Sequence, residues 1–339
     1  MKYLYTALRC LVDKHASLRQ KLFLKQQYSK IRNSSLYFYL RKRHFRIKSK
    51  IVKRYFSYTA SQLEHKLRTM GLTSGDTVLM HSSFNVHNGF QGTPQQVIDC
   101  VLTIIGPFGN LLMVSMPYTG SSFGYLKDRP IFDVRKTPSR MGIISEIFRM
   151  EKNVLRSLSP SHPILALGPK AKWIIADHEK TMYPCGRGSP FEKILKLNAK
   201  ALLFDMSPEG ISTFFHHVED TFKEHLPVKL YDDEPLEATV IDSNGHRIKV
   251  RSYVFSSEAR RTRTSRVLKR ELLRTGGIRR GKIGNTKLTL VDLNGALDCA
   301  RNIVEAGNYL YMPKSFSIAL VPHIVKRVVT AAFSAKTPL

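Results

Sequence analysis

The sequence predicts a layered α/β/α fold around a central mixed sheet, preceded by a basic extension over residues 1–57. Three observations carry this. Short buried-strand patterns alternate with helical patterns from residue 59 onward, as expected of layered α/β domains. A hairpin pattern over 228–250, turning at Ser243-Asn244-Gly245, argues against a purely parallel sheet. Charge is segregated along the chain. Residues 1–57 hold 16 Lys or Arg against Asp13 alone, and 258–282 hold 10 against Glu258 and Glu271. These segments carry +15 and +8 of the net +28, so the remainder is nearly balanced at +5.

In order along the chain, Leu4, Leu8, Leu11, Leu18 and Leu22 have the spacing of one helical face, and a basic run follows over 41–48. The body, 58–339, opens with a helix capped by Thr59 and closed at Gly71. Thr77 to His81 is a buried strand, and His81-Ser82-Ser83 lies at its carboxyl end. Thr93-Pro94 caps a helix that ends at Gly106-Pro107, and Leu111 to Met116 is a second strand. Residues 118–140 form a long, aromatic loop of the kind that borders binding sites. Helix 141–150, strand 164–167 and helix 171–178 come next, then a glycine-rich turn at 186–190 that could form an anion-binding nest. Strand 201–204, helix 212–221, the hairpin, a basic helix over 258–275, strand 283–290 and helix 293–306 complete the body.

Composition excludes several classes. At 42% hydrophobic residues the chain can bury a core, yet it has no apolar run long enough for a transmembrane helix. No signal-peptide pattern appears. Cys10, Cys100, Cys185 and Cys299 are far apart, and no Cys/His spacing suits a metal, so no metal is expected and a reduced, cytoplasmic compartment is. The basic extension seeks an anionic partner. A solvated, partly helical extension with no role beyond solubility is one reading, and an anionic membrane surface, at the inner face of the cell membrane, is the sharper one; no zinc-finger, RNP or helix-turn-helix pattern supports nucleic acid. Homodimerisation is left open.

His216 is the central candidate for chemistry. It lies in the first turns of a helix after a buried strand, with Glu219 three residues on along the same face. A carboxylate there can hold an imidazole in one tautomer. Spacing alone favours a half-buried histidine packed on Phe214 and Phe215 over a catalytic one. The residues Thr213, His216 and Glu219, read together with His81-Ser82-Ser83 and Ser159-Pro160-Ser161-His162-Pro163, resemble the antibiotic acetyltransferase family typified by the aminoglycoside 3-N-acetyltransferases. Distributed matches over roughly 60–310 support the resemblance, among them Arg140-Met141-Gly142 and Gly188-Ser189-Pro190-Phe191.

The resemblance implies acyl transfer from a coenzyme A thioester, acetyl-CoA, to the amine of an amino sugar. His216 is then the general base, Glu219 orients it, and His81, Ser82, Ser83, Ser157, His162 and Thr213 line the thioester site. Two departures bear on the acceptor. Gly210 stands where the family carries an aspartate, and the family's later carboxylate finds only Glu258. Polycationic aminoglycosides are held by acids. The expected acceptor is therefore the amine of a nucleotide sugar, glycolipid or surface polysaccharide. An antibiotic acetyltransferase is the alternative, and a non-catalytic homologue that binds anionic polymers or membranes is the third reading.

Overall fold

The computed structural model describes residues 35–206, 213–308 and Leu310. The chain divides into two compact units after Phe56. In the first, α1 spans Ser35–Tyr55. The leucine pattern over 4–22 lies outside the described residues.

The second unit begins with α2 (Ala60–Thr69), β1 (Thr77–Ser82), α3 (Pro94–Ile105) and β2 (Asn110–Val114). Both helices start in capping boxes. Thr59 and Gln62, and likewise Thr93 and Gln96, satisfy each other's backbone N–H groups. There follow α4 (Ser122–Leu126), β3 (Ile131–Asp133), α5 (Ile143–Met150), β4 (Leu155–Arg156) and β5 (Ile164–Leu167). Then come α6 (Ala171–Ile175), α7 (Pro190–Lys193), β6 (Lys200–Phe204), α8 (Phe215–Thr221), β7 (Leu236–Ile241) and β8 (Arg247–Ser252). The last elements are α9 (Ser257–Thr262), α10 (Arg266–Thr275), β9 (Ile278–Ile283), β10 (Thr286–Asp292) and α11 (Leu293–Glu305).

The central sheet has the order β4-β5-β2-β1-β6-β10-β9. It is mixed, as expected, but not because of the hairpin. Parallel β2, β1 and β6 form its middle, and antiparallel β5 and β10 flank them. The hairpin β7–β8 instead joins β3 in a separate three-stranded sheet. Two further expectations change. The strand expected at 283–290 is a hairpin, β9–β10, turning at Gly284. The basic helix expected over 258–275 is two helices, interrupted at Arg263-Thr264-Ser265.

Strand alternation divides the core. Val78 and Met80 of β1 pack with Leu63, Ile98 and Phe148 from α2, α3 and α5. Leu79 faces the other way, toward Phe191, Val218 and Leu293 from α7, α8 and α11. Such burial stabilises by roughly 1.5–3 kcal/mol per large apolar side chain. From β1 the chain passes through α3 to β2 on one side, while β6 pairs with β1 on the other. That reversal of direction opens a crevice at the carboxyl end of β1, where α/β sheets place ligands.

Tight backbone contacts fix the far end of β5. Gly168 has φ +132°, and a Cβ there would sit 2.4 Å from the Gly109 carbonyl oxygen. Gly120 also has positive φ, +97°, but nothing lies within 4 Å of its Cβ position. Gly120→Ala should therefore cost only about 1 kcal/mol, the penalty for an L-residue in this region. Gly168→Ala should cost at least about twice that, because backbone must move as well. Urea unfolding of the two variants checks this, and equal losses would show the close approach to be unimportant.

Candidate active site

His81 and Ser82 end β1 and are held in register by β6, with His81 opposite Leu203 and Ser82 opposite Phe204. Gly142, at φ +105°, starts α5 alongside the Ser82 carbonyl. Across the crevice α8 begins, its first turn set by the His216 N–H donating to the Thr213 carbonyl at 3.0 Å. The cleft between them, about 320 Å³, is lined by Met80, His81, Ser82, Met141, Ser145, Thr213 and His216, among others.

Inside the cleft the His216 side chain keeps 21% exposure, whereas the Glu219 side chain has none. His216 Nδ1 lies 2.9 Å from Glu219 Oε2. A carboxylate accepts, so Nδ1 carries the hydrogen and Nε2 keeps its lone pair. Arg263 reaches Glu219 from beyond α9, with Nε 2.7 Å from Oε1 and 2.8 Å from Oε2. Its guanidinium lies 4.5 Å over the Phe255 ring, and that ring lies 4.5 Å from the ring of His216. His162, 4% exposed, meets the His216 ring edge-on at 5.7 Å.

The histidines are held neutral. Burial, then the charge of Arg263, lowers the pKa of His216, and Glu219 opposes part of this. Burial pulls His81 down to about 4, with a lesser push from His216, and carries His162 well below the usual range. A neutral His216 with a free Nε2 is an acceptor for a proton, set beside hydroxyls that can donate hydrogen bonds.

Of the expected residues, the structure brings together His81, Ser82, Thr213, His216 and Glu219, with His162 packed behind. Ser83 borders the group, but its N–H donates to the Phe204 carbonyl at 2.9 Å and so extends the sheet. Ser157 is not in the cleft. Its buried hydroxyl lies 2.8 Å from His178 Nδ1 and accepts from the Ile164 N–H. It lines a separate cavity of about 570 Å³ at the β4 edge, which contains none of the site histidines. The supposed nest at 186–190 is occupied, since the Gly188 N–H donates to Glu192 Oε2. Gly210 and Ser212 lie outside the described residues.

Sequence reasoning missed Arg263 and Phe255. The sequence shows Arg263 only as part of a basic segment, and Glu258, the expected counterpart of the family's later carboxylate, is exposed on the first turn of α9. A buried glutamate on α8 demands a cation, which was the available signal. Among the described residues, no group of three or more His, Cys, Asp or Glu could hold a metal.

Residues 79–305, about two thirds of the chain, match the family described as aminoglycoside 3-N-acetyltransferase. Aminoglycoside N(3)-acetyltransferase IX of Micromonospora chalcea is 22% identical over 270 residues, covering 73% of this chain and 94% of that protein. Aminoglycoside N(3)-acetyltransferase VII of Streptomyces paromomycinus is 24% identical over 272 residues, covering 74% and 90%. Among solved structures, aminoglycoside acetyltransferase AAC(3)-Xa shares the fold with a TM-score of 0.64 at 24% identity, over 78% of this chain and 99% of that one. AAC-IIIb, solved as a binary complex with CoASH, gives 0.61 at 22% identity, over 76% and 99%. The chain belongs to the aminoglycoside 3-N-acetyltransferase family and is an N-acetyltransferase.

Proposed function

We propose that the chain transfers the acetyl group of acetyl-CoA directly to an amine of an aminoglycoside-type amino sugar, with His216 as general base. The observation that carries this reading is the Glu219–His216 contact, which leaves Nε2 as a proton acceptor beside a cleft at the β1 terminus. The acceptor amine attacks the thioester carbonyl, and His216 Nε2 takes a proton from nitrogen as the C–N bond forms. The tetrahedral intermediate collapses, the C–S bond breaks, and the imidazolium returns its proton to the departing thiolate. Ser82 and Thr213 contact the thioester arm, and a hydroxyl donor there stabilises the developing oxyanion. His162 fixes the ring of His216 from behind.

A second reading, an amino sugar carrying a phosphate or uronate, is favoured by one specific observation. No carboxylate lines the cleft among the described residues, and Glu219, which contacts His216 from behind, is paired with Arg263. A polycation gains little there.

A basic helix adds a partner to this proposal. Among the residues of α1 there are eight Lys or Arg and no acid. Leu40, Ile47 and Ile51 share one face and are 45–49% exposed. Arg43, Lys50 and Arg54 border that stripe on one side, Arg41 and Lys48 on the other. Cations flanking an apolar stripe suit an anionic lipid surface, with the stripe at acyl-chain depth and the cations at the headgroups. No described helix is long and apolar enough to cross a membrane.

His216→Ala should lower turnover by about 10²–10⁴ and leave the fold intact, as loss of a general base does. Wild-type kcat/KM should rise with pH through a group titrating below about 6.5, since burial and Arg263 both disfavour protonated His216. Near wild-type turnover in the alanine variant would remove His216 from the mechanism. Release of free CoA over a panel of acceptors separates the substrate readings. Efficient turnover of a kanamycin-type polycation, at a kcat/KM of about 10⁵ M⁻¹s⁻¹ or better, would support the first; preference for a phosphorylated or uronate amino sugar would support the second. For the helix, replacing Lys48, Lys50 and Arg54 together by Glu in the full chain should abolish sedimentation with vesicles containing phosphatidylserine. Unchanged sedimentation, or stronger binding of wild type to RNA than to vesicles at matched salt, would reject the lipid surface.

A further inference from the structure

We propose that Arg263 is a positioning residue for the acetyl transfer, clamping Glu219 so that the carboxylate orients His216 without keeping a proton on it. This rests on the reading of His216 as the base. Glu219 is fully buried, and a buried carboxylate with no cation would either take up a proton or hold one on its neighbour. Arg263 Nε contacts both carboxylate oxygens, so Glu219 cannot rotate without losing one of them. Stacking of the guanidinium on Phe255 fixes the arginine from its other side. Phe255 in turn packs on His216 and His162, so the clamp and the base share one aromatic neighbour.

The charged and titratable groups facing His216 are few. Glu219 comes from its own helix, His81 from β1, His162 from the loop after β4, and Arg263 from the break between α9 and α10. Both other histidines stay neutral through burial. The charge balance on His216 is therefore a contest between two groups. Glu219 favours the imidazolium and Arg263 disfavours it. The position of Arg263 explains why the chain breaks between α9 and α10. Its backbone is extended, at φ −51° and ψ 128°; of the arginines within α9, Arg261 is exposed and Arg260 is half-buried and donates to the Phe255 carbonyl.

The contest gives opposite signs for two substitutions, which a merely structural role would not produce. Glu219→Gln removes the group that favours protonation, so the acid limb of kcat/KM should move to lower pH. Arg263→Gln removes the group that opposes it, so the limb should move to higher pH, and turnover should fall about ten- to hundred-fold as the imidazole loses its fixed orientation. Arg263→Lys restores the charge without the planar fork. Its limb should return toward that of wild type while turnover stays reduced. Limbs that move in the same direction in the two glutamine variants, or an unmoved limb in folded Arg263→Gln, would overturn the proposal. If Arg263→Gln does not fold, Arg263→Lys decides: full turnover there would show that a point charge suffices and that no clamp exists. Failure of the underlying reading looks different, because His216→Ala would then retain activity whatever Arg263 does.

Discussion

One buried carboxylate organises the site. Glu219 is enclosed by α8, by the loop carrying Arg263 and by the aromatic group around Phe255. A charge placed there is tolerated only when it is paired and hydrogen-bonded. Both conditions are met, by His216 on one side and Arg263 on the other. The local helix geometry, the break between α9 and α10, and the packing of Phe255 all serve the same carboxylate. Remove it and the imidazole loses its tautomer, while the half-buried arginine loses its only anionic partner among the described residues and keeps its contact with Phe255.

The layered sheet explains why this group of residues sits where chemistry can use it. Parallel β1 and β6 end together, and their side chains diverge to two separate cores. Ser82, at the end of β1, meets Thr213 and His216 around the cleft at this end of the sheet. Antiparallel β5 and β10 flank the parallel strands on either side, inside the edge strands β4 and β9, and line none of the cleft.

Much of this was legible in the sequence, for physical reasons that differ by residue. His216 and Glu219 lie three apart, which places them along one side of a helix whatever the rest of the chain does, and Thr213 lies in the turn that leads into it. Capping threonines at 59 and 93 announced their helices because a hydroxyl there satisfies orphan N–H groups locally. Arg263 could not be placed, because it lies 44 residues from Glu219 in sequence and local pattern carries no information at that range. The β9 strand, Ile-Arg-Arg-Gly-Lys-Ile, hid because it is an edge strand rich in cations, as exposed edges commonly are. Short β3 and β4 offered too few residues for a period of two to appear. Ser157 was assigned to the cleft through its neighbours in sequence, but its hydroxyl turns into the buried contact with His178.

The two-core arrangement has a consequence for how the chain can change. Ser145 enters the cleft from the α5 layer and His216 from the α8 layer, with the β1 terminus between them. The distance between the donor wall and the imidazole is thus set by how the two layers seat on opposite faces of one sheet. Conservative exchanges such as Ile98 or Phe191 to a slightly smaller side chain can reseat a layer by a fraction of an ångström while each core stays packed. Rate, which is steep in the alignment of reacting groups, responds to such a shift before stability does. If His216 is the base as proposed, the packing of the two cores therefore becomes a remote control on turnover, and variation buried far from the cleft can change rate without touching the cleft residues themselves.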